Sequence, residues 1–109
     1  MTYVKINNTL YPAEISGKIS DYDWGGRASK TIRLQMTAAA AAETFVDDVP
    51  WSIVEDGFDE EGQPAQYEYD NSEYCVAGDI TDHRDGYVSV KMGKVTEGEL
   101  LAILTGGAE

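Results

Sequence analysis

Apolar residues recurring at every second position, broken by turn-forming pairs, predict an α+β domain. The expected architecture is an antiparallel, strongly twisted sheet or small barrel of about six strands with two helices, in the order β-β-β-α-β-β-β-α. Three observations carry this reading. An Asn7-Asn8 pair separates two alternating runs, residues 31–36 alternate without interruption, and two segments carry helix-start signatures. The 109 residues form a single domain, 1–109, with no internal repeat or linker.

The elements follow in order. In Tyr3-Val-Lys-Ile-Asn-Asn-Thr-Leu-Tyr the two asparagines occupy a two-residue turn that needs positive φ, so Ile6 faces Thr9 and Val4 faces Tyr11. Ala13, Ile15, Gly17 and Ile19 continue that face, and Pro12 marks a bulge or an edge. Residues 20–30 read as a polar, glycine-rich loop carrying Trp24. The next strand turns Ile32, Leu34 and Met36 inward. Thr37 caps a helix over 38–46, whose five consecutive alanines allow close approach to a sheet, and 47–50 end it. Residues 51–55 form a strand, and 56–71 an exposed acidic loop with two glycines and a proline. Strands over 74–80 and 87–92 precede the capping box Thr96-Glu-Gly-Glu99. Beyond it, Leu100, Leu101, Ile103 and Leu104 supply the stripe of a last helix.

Composition narrows the function classes. The net charge is −12, and between Leu34 and His83 there are thirteen Asp and Glu but no Lys or Arg. Binding to nucleic-acid phosphates needs clustered basic residues, so no nucleic-acid partner is expected; a cationic partner is favoured. No apolar run reaches transmembrane length and the first residues do not form a signal peptide, so no membrane partner is expected. One cysteine and one histidine leave no disulfide and almost no soft-metal ligands, and no cofactor is expected.

Four motifs invite chemistry. His83-Arg84-Asp85 spells part of a kinase catalytic loop, but Val90 stands where the metal-binding Asn belongs, and Asp85-Gly86 between two strands reads as a turn. Cys75 with His83 could form a nucleophile and base, yet Cys75 sits in an acidic stretch that would raise its pKa; an inert sheet residue is the expectation. The acidic loop misses the calcium-loop register, which leaves a solvated loop. Trp24, among Asp21, Tyr22 and Asp23, is either an interaction hot spot or a cover for the end of the sheet. The candidate interaction surface is Tyr22, Trp24, Arg27, Asp59, Glu60 and Glu61; Tyr67, Tyr69 and Tyr74 extend it or stack across strands.

Five stretches, Tyr3-Val-Lys-Ile-Asn-Asn-Thr-Leu-Tyr-Pro, Ser16-Gly-Lys-Ile-Ser-Asp, Ser29-Lys-Thr-Ile-Arg-Leu-Gln-Met-Thr, Trp51-Ser-Ile-Val and Asp70-Asn-Ser-Glu-Tyr-Cys-Val-Ala-Gly-Asp-Ile-Thr, together with Val88-Ser-Val-Lys-Met-Gly-Lys, carry a resemblance over nearly the whole chain. It resembles a family of small proteins encoded among tail genes of bacteriophages and prophages of Gram-positive gut bacteria. The resemblance implies a non-enzymatic structural or accessory component of a tail or baseplate, whose partners are other tail proteins or itself. It also implies assembly in the bacterial host cytoplasm and then residence in the virion. The alternative, from charge alone, is an acidic binding module that mimics nucleic acid or blocks a basic host protein.

Overall fold

The computed structural model describes residues 1–96, 98 and 99. Seven strands form one antiparallel sheet: β1 (Thr2–Ile6), β2 (Thr9–Asp21), β3 (Arg27–Gln35), β4 (Trp51–Phe58), β5 (Pro64–Asp70), β6 (Val76–Asp82) and β7 (Tyr87–Gly93). Their spatial order is β5-β4-β1-β2-β3-β7-β6. One short helix, α1 (Ala38–Thr44), joins β3 to β4. This corrects the expected six-stranded, two-helix α+β arrangement: the sheet has a seventh strand, and α1 is the one α-helix that lies wholly within the described residues. The C-terminal helix over Leu100, Leu101, Ile103 and Leu104 lies outside the described residues. Its capping box is present, with Thr96 N–H donating to Glu99 Oε1 at 2.9 Å and Glu99 N–H to Thr96 Oγ1 at 3.2 Å.

The strand the sequence hides is β5. Most of the segment 56–71 expected as an exposed acidic loop is the β4–β5 ladder, which pairs Ser52 with Asp70 through Phe58 with Pro64. No residue of β5 is buried, so it lacks the apolar face that advertises a strand; only Ala65, Tyr67 and Tyr69 trace its alternation. The 20–30 loop likewise shrinks to a 3₁₀ turn, Tyr22–Trp24, and two glycines, because β2 and β3 extend into it as polar strands.

Elsewhere local chemistry acts as expected. Asn7 and Asn8 adopt φ of 52° and 63°, and the hairpin pairs Ile6 with Thr9 and Val4 with Tyr11. Thr37 Oγ1 accepts from Ala40 N–H at 3.1 Å to cap α1, and Ala41 is fully buried. The His83 motif is a turn: His83 N–H donates to Tyr87 C=O, Arg84 and Gly86 have φ of 59° and 89°, and Asp82 and Asp85 accept from nearby backbone N–H groups.

β2 joins two halves. Residues Thr9 to Pro12 pair with β1, and Ala13 onward pair with β3. The halves close over one core: Val4 and Ile6 of β1, Ile32 and Leu34 of β3, Val88, Val90 and Met92 of β7, with Ala41, Phe45, Val49 and Trp51. Trp51 Nε1 donates to Tyr74 C=O at 3.0 Å, which satisfies the indole without water. The connector after α1 is bonded to Cys75, just before β6, and to the start of β6, through Asp48 N–H to Cys75 C=O and Ala77 N–H to Asp47 Oδ1, both 2.8 Å. The molecule measures 55 × 37 × 25 Å, with a radius of gyration of 15.7 Å against about 13 Å for a compact chain of this length. No described helix is long and apolar enough to cross a membrane.

Candidate interaction surface

The back of the β3–β7 half, opposite the core, is covered by the β2–β3 tip. A register shift between Lys18 and Asp21 brings Asp21 opposite Arg27. Asp21 is fully buried, and its carboxylate accepts from Asp23 N–H (3.1 Å) and Ser29 Oγ (3.2 Å) and pairs with Lys91 Nζ (2.8 Å). The Lys91 contact holds the Asp21 carboxyl below the usual carboxylate range against the opposing effect of burial. Gly25 and Gly26 then reverse the chain into β3.

Trp24 folds back onto Gly78 of β6 and Gly93 of β7. A Cβ at Gly78 would stand 2.6 Å from Trp24 Cη2, and one at Gly93 2.8 Å from Trp24 Cζ3, so both glycines are required by the close approach of the ring. The Arg27 guanidinium lies 4.8 Å from the Trp24 ring and Lys91 Nζ 5.8 Å. Arg27 also grips Glu99 with both terminal nitrogens (2.9 and 2.7 Å) and donates to Lys94 C=O. That grip holds the Glu99 carboxyl down to about 2. Of the two readings of Trp24, the geometry has the covering one.

The six candidate residues divide. Trp24 and Arg27 brace the back of the sheet, whereas Tyr22 at the same tip is 94% exposed and the neighbouring Ile19 is 95% exposed. Asp59, Glu60 and Glu61 belong to the turn of a different hairpin, β4–β5, and no hydrogen bond or ion pair joins the two turns among the described residues. In that second turn Asp59 Oδ1 accepts from Glu61 N–H (3.0 Å) and Gln63 N–H (2.9 Å), and Phe58 beside it is 70% exposed. Tyr67 donates to Phe58 C=O, while Tyr74 lies 6.5 Å from Trp51 with Lys30 and Lys94 over its ring. The sequence placed Ile19 on the apolar face that runs through Ala13 and Ile15, which the structure corrects, since that face is open to solvent at Ile19; Phe58 it missed. The available signals were one isoleucine beyond Ile15, the last partly buried apolar position of β2, and one phenylalanine inside an acidic run.

Cys75 and His83 are held by different partners. Burial, then Asp48, pushes the Cys75 thiol up, away from thiolate character, and His83 Nε2 contacts Ser89 Oγ at 2.7 Å. Among the described residues no group of three His, Cys, Asp or Glu side chains converges as a metal site.

A second feature escaped the sequence: an open groove of about 1140 Å³ beside β2, where the two halves diverge. Ala13, Ile15 and Gly17 form one wall, and Ile53, Glu55 and Tyr69 belong to the other half. No family model, curated protein or solved structure matches this chain.

Proposed function

We propose that the chain is a non-enzymatic structural or accessory component that works through protein–protein contacts. The observation that carries this reading is the β2–β3 tip: two large apolar side chains, Ile19 near the end of β2 and Tyr22 in the turn, are almost wholly exposed on a hairpin end braced by Asp21, Trp24 and Arg27. Exposed apolar groups on a rigid support suit recognition, because little side-chain and loop freedom is lost on docking. The resemblance to phage tail proteins supplies the setting, a tail or baseplate. The test is mass spectrometry of purified, induced phage particles. The chain is expected at a copy number comparable with other minor tail proteins; its absence from particles would reject the tail setting. Ile19→Asp with Tyr22→Ser should abolish incorporation while leaving the melting temperature unchanged.

A second reading, an acidic module that blocks a basic protein or mimics nucleic acid, draws on the seven acids and no Lys or Arg between Trp51 and Asp70. A particle-free chain that binds a basic host protein in a salt-sensitive way would favour it.

A further inference from the structure

The phase of the backbone hydrogen bonds shows which amides of β2 have no strand to bond. The two-residue turn at Asn7-Asn8 closes on the Ile6–Thr9 pair, so odd-numbered residues of β2 point toward β1. From the other side, Met36 N–H donates to Gly86 C=O, so even residues of β3 point toward β7 and odd ones toward β2. Arg33 and Thr31 therefore bond Glu14 and Ser16, the even residues of β2. β1 pairs with β2 only from Thr9 to Pro12. Beyond that point the odd residues Ile15 and Gly17 direct N–H and C=O into the groove, with no strand of the described residues beside them.

Pro12 fits the same phase. Its missing N–H would point away from β1, at a position where β3 has not yet paired, so no ladder bond is lost.

The groove's charges favour one kind of occupant. Arg33 is engaged by Glu14 (3.7 Å), Asp85 (3.3 Å) and the Tyr87 ring, and Lys30 by Asn71 and the Tyr74 ring. Glu55 and Asp70, which also line the groove, have no cationic partner among the described residues. Asp70 is held in its ionised form by the Ser72 hydroxyl at 2.6 Å and the Ser72 N–H. Ile15, Ile53 and Tyr69 add apolar surface.

We propose that this groove takes an extended, basic segment of a partner protein, which adds as a strand to the free edge of β2 at Ile15 and Gly17. Backbone bonds to those residues hold the strand, and alternate Lys or Arg side chains meet Glu55 and Asp70. A second copy of this chain is disfavoured, since two molecules of net charge −12 repel. This inference rests on the contact function proposed for the chain and names the partner chemistry.

The probe is an eight-residue peptide alternating Lys and Val, capped at both ends, with a Glu-Val peptide as control. Calorimetry is expected to show binding of the Lys peptide alone, weakening as salt rises, with new hydrogen-exchange protection at the Ile15 and Gly17 amides. Gly17→Pro removes only the outward N–H and should weaken binding about tenfold or more, with β2–β3 pairing intact. Should that variant fail to fold, Glu55→Lys on the opposite wall should weaken the Lys peptide and spare the fold. Absence of binding up to about 1 mM, equal binding of both peptides, dimer formation, or protection at β5 or β6 instead would each overturn the proposal. If Gly17→Pro enters particles as the wild type does, the groove assignment fails while the contact function stands.

Discussion

The β3–β7 and β4–β5 pairs are both antiparallel ladders of seven residue pairs, yet they are held in different ways. β3–β7 places Ile32, Leu34, Val88, Val90 and Met92 in the core at 0–1% exposure, and its back carries Lys91 on Asp21 and Arg33 on Tyr87. β4–β5 buries Trp51 and Val54 on one strand and nothing on the other, and its acids outnumber the cations beside them. Lys5 on Glu68 and the N-terminal amine near Asp56 are its ion pairs, at 3.4 and 3.8 Å with both partners substantially exposed. Equal numbers of paired residues therefore do not imply equal stability. Net backbone hydrogen bonding contributes modestly, and burial on both strands makes the larger difference.

The largest effect expected from this contrast is in the core. Leu34→Ala should cost about 2–5 kcal/mol in denaturant unfolding, while Tyr69→Ala on β5 should cost at most about 1 kcal/mol. Comparable losses would erase the distinction.

Next in size is the back of the β3–β7 half. Gly78→Val drives a branched side chain into the Trp24 ring and should cost about 1–3 kcal/mol. In a Trp51→Phe background the emission of Trp24 should move to the red. A variant with unchanged emission would mean that Trp24 does not lie on Gly78.

Acid should loosen this same region. The Glu99 carboxyl is lowered from 4.5 to about 2 in the folded chain, chiefly by Arg27. Because the folded pKa is depressed, the stabilisation is present above about 4.5 and is lost as pH falls through about 2. Asp21, lowered by Lys91, acts in the same direction. Trp24 emission in the Trp51→Phe background should therefore shift on acidification through that window, and Glu99→Gln should remove Glu99's share of the shift.

Salt should have the smallest effect, with the opposite sign, on the acidic hairpin. Screening over about 8–10 Å relieves repulsion among its carboxylates and should raise the melting temperature slightly. Calcium at matched ionic strength should do no more, because Asp59 already turns Oδ1 onto two backbone N–H groups. Saturable calcium binding by calorimetry would contradict this.

What was legible in the sequence follows the same division. The β1–β2 hairpin, the β3 core residues, the Thr37 cap and the His83 turn were readable because each depends on local backbone chemistry or on an apolar face. β5 was hidden because a strand exposed on both faces needs no apolar alternation, and its acids and Pro64 read as loop. The polar ends of β2 and β3 were hidden because Asp21 and Ser29 are buried by hydrogen bonding instead of apolar contact. Of the six candidate surface residues, the tip location of Tyr22 and the exposed turn of Asp59, Glu60 and Glu61 were legible. The bracing roles of Trp24 and Arg27 were not, since Gly78, Gly93 and Glu99 lie far along the chain. The groove beside β2 was invisible for a similar reason: it arises where one strand changes partner, which leaves no local signature.

Native-state amide hydrogen exchange tests the central contrast most directly. The ladder amides of Ile32, Leu34, Val88 and Val90 should exchange only through global unfolding, with the same free energy as denaturant melting. The β4-facing amides of Ala65, Tyr67 and Tyr69 should exchange through local opening at a distinctly lower free energy. Exchange of both sets at the global free energy would show that the acidic hairpin is as firmly held as the core, which would contradict the division between the two ladders.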